Sequence, residues 1–311
     1  MLLYRGETFN PNFFYFSGMD TDHSFYLKGK NMLFVPALNG ELAKKTFGGR
    51  VVVYRDPFKE LKKHVKGKTL RSDFSSLNLR LATRLKRFCH LKDYTEEMFE
   101  IRAKKKKPEI SNIKKAARLT REIFGMLDFK NAKTELDIER QLRVATAELG
   151  LEPAFDPIVA TDSSSSFPHY FAKRKKLGSM VLIDYGLRFN HYCSDLTRCF
   201  FLDKDKKKMS EYEKLQDICH TICDELPSLR NGRQVAELSA RLIERAGFPK
   251  PPHAIGHGVG LNIHEYPRLS SKWTDNIKGT VMAIEPAFYL KRYGMRFEQT
   301  IHFDGKKARV L

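Results

Sequence analysis

The sequence predicts an α+β protein of two domains, residues 1–103 and 104–311. The 311 residues are enough for two domains of ordinary size. Over about the first 90 residues, short strand-like segments alternate with helical ones, which is typical of a small α/β domain. After a lysine-rich connection, two long amphipathic helices lead into a predicted hairpin of two apolar strands.

In the first domain, aromatic and β-branched residues between Gly, Asp and Asn predict the strands, and apolar residues at helical spacing predict the helices. The predicted strands are residues 13–19, 24–29, 31–38, 50–54 and 69–74. The predicted helices are residues 58–65 and 76–88. The charged stretch 96–107, which ends in four lysines, is interpreted as the connection between the domains rather than as a binding patch.

The second domain opens with an amphipathic helix over 110–127, and Pro108 suits its first turn. Thr134 is predicted to cap the next helix with Asp137 as its capping-box partner, and Gly150 is predicted to end it. The remaining predicted elements are a strand at 151–160, a polar loop at 162–166, a hairpin with arms 181–185 and 192–202, a polar turn at 204–208, and helices at 211–226 and 235–246.

The chain has a net charge of +19, from 56 basic and 37 acidic residues. An excess of this size can attract nucleic acid, but the basic residues are spread along the chain, and only 104–107 and 204–208 form dense runs. No stretch interleaves aromatic with basic residues in the manner of an RNA-recognition domain. The charge is therefore interpreted as solubilising, and nucleic acid is left open as a partner but is not expected.

Five scattered cysteines do not form a disulfide framework, so a reducing cytoplasm is the expected location. No apolar run approaches the roughly 20 residues of a membrane helix. The N-terminus turns polar too soon for a signal peptide. A membrane partner is therefore not expected.

The central hairpin carries one aspartate on each arm. Asp184 and Asp195 are eleven residues apart, and each lies within an apolar, β-prone run. A buried carboxylate is unfavourable unless a donor or a cation compensates it, and two facing carboxylates need a shared proton or a metal. Turn aspartates bonded to the backbone explain the pattern equally well, so both interpretations stay open at this point.

Three histidines, His253, His257 and His264, lie in a glycine-rich segment. Three glycines within five positions argue against a helix and favour an extended or turning backbone that a substrate can approach closely. Any one of these histidines alone fits a surface or satisfied core position better than a functional role. Three of them among so many glycines favour a site.

Two glutamates complete the set of chemically conspicuous residues. Glu285 closes an apolar strand before Pro286, and Glu298 shares one strand face with Arg296. Either glutamate could be an ordinary ion-paired strand residue. The order Asp, Asp, His, Glu, Glu instead suits two divalent cations such as Mn, Co or Fe better than a structural zinc, because it contains no thiolate.

This order of residues, with its local contexts, resembles the pita-bread metallopeptidases of family M24, and most of all their Xaa-Pro dipeptidase (prolidase) and aminopeptidase P branch. The resemblance covers nearly the whole chain. It implies a pita-bread catalytic domain, in which helices flank a curved antiparallel sheet, preceded by a smaller creatinase-like N-terminal α/β domain. It also implies two divalent metal ions (Mn, Co, Fe or Zn) and a homodimer.

The resemblance assigns roles to the matching residues. Five match the metal ligands of the family: Asp184, Asp195, His257, Glu285 and Glu298. Four match positions near the bound substrate: His169, His253, His264 and Arg296. Of all these residues, Glu285, His169 and His264 are the implied catalytic groups. Thr197 matches a threonine that supports the ligands, whereas Gln299 and the serines of 163–166 depart from the family pattern.

The implied activity is that of a metallo-exopeptidase that uses metal-activated hydroxide to hydrolyse the Xaa-Pro bond of a short peptide with proline in the second position. The leaving nitrogen of such a bond has no N–H, so a site that recognises the imide can exclude ordinary peptides. Dipeptidase and aminopeptidase activity both stay open. The alternatives are a methionine aminopeptidase, against which the extra N-terminal domain of about 100 residues argues, a creatinase-like hydrolase, and a basic pita-bread module that binds RNA or ribosomes.

Overall fold

The computed structural model describes residues 1–311 and divides into two compact units, Met1–Arg102 and Ala103–Leu311. The predicted division after residue 103 lies one residue from this boundary. The assignment of the first unit as a creatinase-like domain stays a prediction. Length and hydropathy together rule out a membrane-spanning role for every helix in the structure.

The first unit is built on one mixed sheet of six strands, in the order β4-β3-β2-β1-β5-β6. The pairs β1/β2 and β2/β3 are antiparallel, and the other three are parallel. Its elements are β1 Leu2–Arg5, α1 Pro11–Ser17, β2 Ser24–Leu27, β3 Met32–Pro36, α2 Gly40–Thr46, β4 Arg50–Tyr54, α3 Pro57–Val65, β5 Thr69–Ser72, α4 Leu79–Lys86, β6 His90–Asp93 and α5 Thr95–Ala103.

Side chains alternate across this sheet and create two separate cores. On one face Leu2 and Phe34 pack with residues of α3 and α4, including Leu61 and Leu85. On the opposite face the neighbouring residues, such as Leu3 and Leu33, pack with Phe13 of α1, Ala43 of α2 and Met98 of α5. Helices therefore cover both faces, which confirms the predicted α/β organisation of this part of the chain.

The prediction of a strand at 13–19 is wrong, because residues 11–17 form helix α1. Asn10 caps this helix by accepting a hydrogen bond from the backbone N–H of Phe13 (2.9 Å), and Pro11 occupies its first turn. Gly18 ends it in the left-handed conformation, at φ 71°. The segment 96–107, interpreted as the connection between the domains, contains the boundary between the two units, and it is mostly helical because α5 extends to Ala103.

The second unit contains four long helices and four sheets. The sheets are β12-β9-β8, β14-β13-β15-β18-β19, β11-β10-β7 and the pair β16-β17. The elements are α6 Lys107–Met126, α7 Glu135–Glu148, β7 Glu152–Pro153, β8 Ile158–Thr161, β9 Met180–Tyr185, β10 Leu187–Phe189, β11 Tyr192–Cys193, β12 Leu196–Phe201, α8 Lys206–Glu225, α9 Gly232–Arg245, β13 Gly256–Gly258, β14 Glu265–Leu269, β15 Thr280–Ile284, β16 Ala287–Tyr289, β17 Gly294–Arg296, β18 Gln299–Phe303 and β19 Ala308–Val310.

The predicted helices of this unit are confirmed, with boundaries shifted by a few residues. Thr134 and Asp137 form the predicted capping box at the start of α7. Gly150 follows the helix at φ 65°. The predicted polar turn at 204–208 is wrong in its second half, because α8 begins at Lys206 after the cap residue Asp205. The predicted hairpin is confirmed as the antiparallel pair β9/β12.

Candidate metal centre

All nine sequence-predicted site residues line one cavity of about 630 Å³ in the second unit. They come from separate strands and loops that the antiparallel sheets bring together. The nine are Asp184, Asp195, His257, Glu285, Glu298, His169, His253, His264 and Arg296.

The two hairpin aspartates reach the cavity because the arms of the hairpin approach each other closely. Asp184 lies near the end of β9, opposite Thr197 of β12, and Asp195 immediately precedes β12. The approach needs Gly186, since a Cβ atom there would lie 1.9 Å from the carbonyl oxygen of Ser194. The Oδ1 atoms of both aspartates are buried and have no hydrogen-bond partner in the protein.

The backbone of Asp195 is fixed from the neighbouring sheet. Thr300 Oγ1 accepts a hydrogen bond from the Asp195 N–H (3.1 Å) and donates one to its carbonyl oxygen (2.7 Å). Asp195 is 5% exposed, and its carboxylate faces His257. The position of this carboxylate is therefore set by β18, about 100 residues further along the chain.

His257 presents one ring nitrogen to the carboxylates. Its Nδ1 lies 3.1 Å from the carbonyl oxygen of Gly258, so Nδ1 carries the proton and donates it. Its Nε2 therefore has a lone pair, and it lies 3.4 Å from Asp195 Oδ2. Ligand atoms of Asp195, His257 and Glu298 all lie within 4.8 Å of one another. These three form the most compact group, and Asp184 and Glu285 line the same cavity around it.

Arg296 and Thr197 hold two of the carboxylates. Thr197 Oγ1 donates to Glu298 Oε2 (2.7 Å) and accepts from Arg296 Nε (3.0 Å). The Nη2 of Arg296 donates to Asp184 Oδ2. Arg296 is 3% exposed, and its nearest carboxylate is Asp184 rather than Glu298, which corrects the possibility of an ordinary Arg296–Glu298 pair. Nearby negative groups, Asp184 foremost, raise the pKa of Arg296 although burial opposes this rise.

Tyr289 is a site residue that the sequence analysis missed. Its hydroxyl accepts a hydrogen bond from Arg296 Nη1 (2.8 Å) and lies 2.8 Å from His253 Nε2. His253 Nδ1 lies 2.7 Å from the carbonyl oxygen of Ala254, so Nδ1 donates and Nε2 accepts from the tyrosine. Burial lowers the pKa of His253 to about 4, which keeps the ring neutral. The hydrogen bonds from Arg296 to Tyr289 and from Tyr289 to His253 orient this imidazole.

Three carboxylates of the centre, those of Asp195, Glu298 and Glu285, have raised pKa values. Burial, followed by repulsion from Asp184 and Glu285, raises the pKa of Asp195 well above its ordinary value. Burial and the charge of Asp195 raise the pKa of Glu298 in the same way. Burial and the charge of Glu298 raise the pKa of Glu285 to about 8. A group of acids in this condition binds protons or cations readily.

His169 and His264 lie at the exposed side of the cavity. The His264 ring is 4.2 Å from the His257 ring in an edge-to-face arrangement. His169 belongs to a loop that Glu135 holds in place. The carboxylate of Glu135 accepts hydrogen bonds from the Tyr170 hydroxyl (3.0 Å) and the Lys173 N–H (3.1 Å). Glu135 was not singled out in the sequence, because a glutamate in the first turn of a helix is ordinary.

The residues present fit a divalent metal centre. Two buried aspartate oxygens have no partner in the protein, and several acids within one cavity hold raised pKa values. The donor set is one imidazole nitrogen and four carboxylates, without a thiolate, which suits hard or borderline divalent cations. The imidazole nitrogen that faces the acids is the unprotonated one, as a metal ligand requires.

Comparison with known proteins identifies relatives of the same organisation. An uncharacterised peptidase of Methanocaldococcus jannaschii is 34% identical over 217 residues, which cover 66% of this chain and 62% of that protein. The chain thus spans less than two thirds of that relative. An Xaa-Pro dipeptidase of Pyrococcus furiosus is 28% identical over 315 residues, which cover 96% of this chain and 90% of that protein. The crystal structure of a prolidase from Pyrococcus horikoshii has a TM-score of 0.89, with 27% identity, 99% of this chain covered and 92% of that chain.

The predicted pita-bread fold is confirmed by the similarity to prolidase structures, which extends over nearly all of the chain. The family profile described as metallopeptidase family M24 matches residues 111–304, which is more than half of the chain and contains every residue of the cavity. The chain belongs to metallopeptidase family M24.

Proposed function

We propose that the protein is a dinuclear metal-dependent exopeptidase that hydrolyses the Xaa-Pro bond of short peptides. The observation that carries the proposal is the convergence of four carboxylates and one imidazole on a cavity, with two aspartate oxygens left unpartnered. The names of the relatives, Xaa-Pro dipeptidase and prolidase, agree with it. The methionine aminopeptidase and creatinase alternatives have no specific support in the site.

Asp184, Asp195, His257, Glu285 and Glu298 would hold the two divalent ions. Ions bound in this way polarise a peptide carbonyl and bring the pKa of a water molecule toward neutrality. The protein's own contribution is to keep the five ligands fixed, through Thr197 and Thr300 in particular. Arg296 compensates the excess negative charge at Asp184.

Four side chains are positioned to act on the substrate. Glu285, whose Oε2 lies 3.6 Å from His253 Nδ1, is the group we assign to carry a proton from water to the leaving nitrogen. His169 and His264 at the open side can each donate a hydrogen bond to the oxygen on which charge develops, and such a donor is typically worth about 3 kcal/mol. His253 is held neutral and oriented by Tyr289, so it is suited to contact the bound peptide.

Part of the cavity wall is apolar, and it suits the ring of proline. Phe155, Ile158, Ile263, Leu269 and Trp273 line the cavity together with the acids. A pyrrolidine ring has no N–H to pair, so burial against such a wall leaves no donor unsatisfied. An ordinary peptide would bury its amide N–H there without a partner, which disfavours it.

The cavity also contains a cation that suits a free carboxylate, and for this reason we favour dipeptides over longer peptides. Arg268 lines the cavity, and Asp275 fixes its guanidinium through two contacts, Nε to Oδ2 (2.8 Å) and Nη2 to Oδ1 (3.0 Å). The rings of Tyr266 and Trp273 lie 4.0 and 3.5 Å from its central carbon. A guanidinium held so rigidly loses little entropy when it binds the carboxylate of a C-terminal proline.

The test is hydrolysis of Ala-Pro and Ala-Pro-Ala by metal-stripped protein to which Mn, Co, Fe or Zn is returned. We expect metal-dependent cleavage of Ala-Pro, little cleavage of Ala-Pro-Ala, and no activity of Asp195→Asn. Arg268→Met should raise the KM for Ala-Pro at least tenfold and change cleavage of Ala-Pro-amide little. Cleavage of the tripeptide alone would instead identify an aminopeptidase P. If folded, metal-loaded protein cleaves neither, the proposal fails, and methionyl peptides and then creatine become the substrates to test.

Two further expectations stay predictions. A homodimer is expected from the family resemblance, and light scattering would test it. A cytoplasmic location agrees with five cysteines that are all free thiols.

A further inference from the structure

The positive charge of the first unit is concentrated in one part of its sequence. Residues 50–92 contain 13 Lys and Arg but only 3 Asp and Glu, whereas the rest of Met1–Arg102 contains 6 basic and 8 acidic residues. The basic residues of 50–92 occur singly or in adjacent pairs, so no dense run appears in the sequence. Folding brings several of those on α3 and α4 together, because the two helices pack on the same face of the sheet and turn their polar sides outward.

A groove with basic walls lies between these two helices. Four basic side chains line this cavity of about 400 Å³: Lys59 and Lys62 of α3, Arg84 of α4, and Arg87 immediately after α4. All four are exposed, and none makes an ion pair in the structure. Asp56 also lines the groove, but Oδ1 of its carboxylate caps α3 by accepting from the N–H groups of Phe58 and Lys59. The groove is therefore strongly positive.

Two phenylalanines give the groove a second property. The guanidinium of Arg84 lies over the Phe58 ring, 3.6 Å from the ring centre, and Phe88 lines the same cavity. A second cavity of about 320 Å³ shares Phe58 and Arg84, so the stacked pair stands between two depressions. Flat cationic and aromatic surfaces beside free cations are the features that let a protein stack bases while it contacts phosphates.

We propose that the groove between α3 and α4 binds single-stranded nucleic acid, through phosphates on Lys59, Lys62, Arg84 and Arg87 and through bases on the Phe58–Arg84 pair and Phe88. An extended strand fits a lined groove better than an anionic membrane does, because a membrane presents a flat surface to exposed residues. The shared chemistry is a phosphodiester strand, so RNA and DNA are both candidates. The site is independent of the peptidase cavity, which belongs to the second unit.

The experiment measures fluorescence anisotropy of labelled 20-nucleotide oligo(U) and oligo(dT) with the full chain between 50 and 200 mM salt. Four phosphate contacts predict a slope of log K against log salt of about −3, or about 50-fold weaker binding over this range. A variant with Lys59, Lys62, Arg84 and Arg87 all changed to Gln should bind at least tenfold more weakly. Comparison of the two oligonucleotides distinguishes RNA from DNA.

A matched control removes the same number of charges elsewhere. Its four exposed lysines, each changed to Gln, are Lys204, Lys206, Lys207 and Lys306. The control should bind oligonucleotide within threefold of the unchanged protein, and both variants should keep peptidase activity and circular dichroism. Equal weakening by the two variants would attribute binding to net charge and overturn the proposal. Absence of oligonucleotide binding would overturn it as well, and groove-dependent binding to phosphatidylserine vesicles alone would assign the groove to a membrane surface instead.

Discussion

Two buried carboxylates of the second unit, Glu135 and Asp195, are in opposite chemical conditions. Glu135 is fully buried, and its oxygens accept three hydrogen bonds, from the Thr161 N–H (2.9 Å), the Tyr170 hydroxyl and the Lys173 N–H. Asp195 is 5% exposed, but its Oδ1 has no partner, and other acids raise its pKa. Both are costly to bury, yet only the first is compensated within the protein.

The difference separates a carboxylate that the protein compensates from one that it leaves partly uncompensated. Backbone and hydroxyl donors can stabilise an isolated carboxylate in the interior, and at Glu135 these hydrogen bonds also fix the loop that contains Tyr170. A group of buried acids without enough donors needs an external cation, because only a bound cation can offset the free energy lost when several carboxylates are buried together. Substitutions at the two positions should therefore have opposite consequences, one on activity and the other on stability.

The largest effect is expected from Asp195→Asn. The amide has nearly the same shape but carries no charge and would be a poor ligand for a divalent cation, so metal-dependent peptidase activity should fall at least about a thousandfold, more than the loss of one hydrogen-bond donor usually costs. Metal content after dialysis, measured by mass spectrometry, should fall with it. The melting temperature of the metal-free protein should stay unchanged or rise, because the substitution removes an acid that its neighbours repel.

A marked loss of stability in metal-free Asp195→Asn would contradict this account, since it would mean that the carboxylate is already compensated by the protein. Asp156→Asn is a suitable control. Asp156 also lines the cavity, but it is exposed and pairs with Arg143 rather than with the acids. It should keep metal content and activity within about twofold.

Glu135→Gln should have the reverse effect. Glu135 now accepts hydrogen bonds from three donors, and the NH₂ group of glutamine would face at least one of them. A buried donor left without an acceptor costs about 1–3 kcal/mol. We expect the free energy of unfolding to fall by about that amount, measured by denaturant titration of the metal-loaded protein. Metal content should stay normal. Glu148→Gln, at an exposed position of the same helix, should change stability by less than about 0.5 kcal/mol.

The acids and histidines that line the cavity could be predicted because they are conspicuous in the sequence, and the residues that contact them could not. An aspartate within an apolar strand or a histidine among glycines is unusual wherever it occurs. Tyr289 and Glu135 have ordinary neighbours, and their roles arise from contacts with residues 36 and 35 positions away, His253 and Tyr170. The close approach at Gly186 likewise depends on Ser194 of the other arm.

The fold was predictable where local and long-range preferences agree. The helix after Thr134 has a cap, an apolar stripe and a terminal glycine, and all three point to the same element. In residues 11–17 the dense aromatics favoured a strand while Asn10 and Pro11 favoured a helix, and the capping signals were decisive. Helix α5 lacks a clear apolar stripe. Its residue Met98 is buried against the sheet face that carries Leu3 and Leu33, and no local sequence pattern indicates this contact.

A smaller effect is expected at a residue that supports the ligands. Thr197→Val keeps the shape but removes the hydroxyl that donates to Glu298 and accepts from Arg296. Loss of such a supporting contact typically lowers metal affinity or activity by about 10–100-fold. A competition titration with a chelating dye would measure the metal affinity. Thr197→Ser keeps the hydroxyl, so it should remain near the unchanged protein, and an equal loss in both variants would point to packing instead.

The last prediction concerns the pH dependence of stability in the metal-free protein. In the folded state the pKa of Glu285 is raised to about 8 from an ordinary value of 4.5. Between these values the folded state binds more protons than the unfolded state, so the free energy of unfolding falls as pH rises. Asp195 and Glu298, whose pKa values are raised in the same direction, add to this trend. The melting temperature in EDTA should therefore decrease from pH 5 to pH 8, by about 2–4 °C for each kcal/mol lost.

Bound Mn²⁺ should remove this decrease, because the cation compensates the ionised acids and binds only the folded state. Glu285→Gln should flatten the metal-free profile, since it replaces one titrating group with a neutral one. Glu135→Gln should lower the melting temperature by a similar amount at every pH and leave the slope unchanged. A metal-free melting temperature that rises with pH would show that donors within the protein already stabilise the acids of the cavity, and the distinction between Asp195 and Glu135 would then be lost.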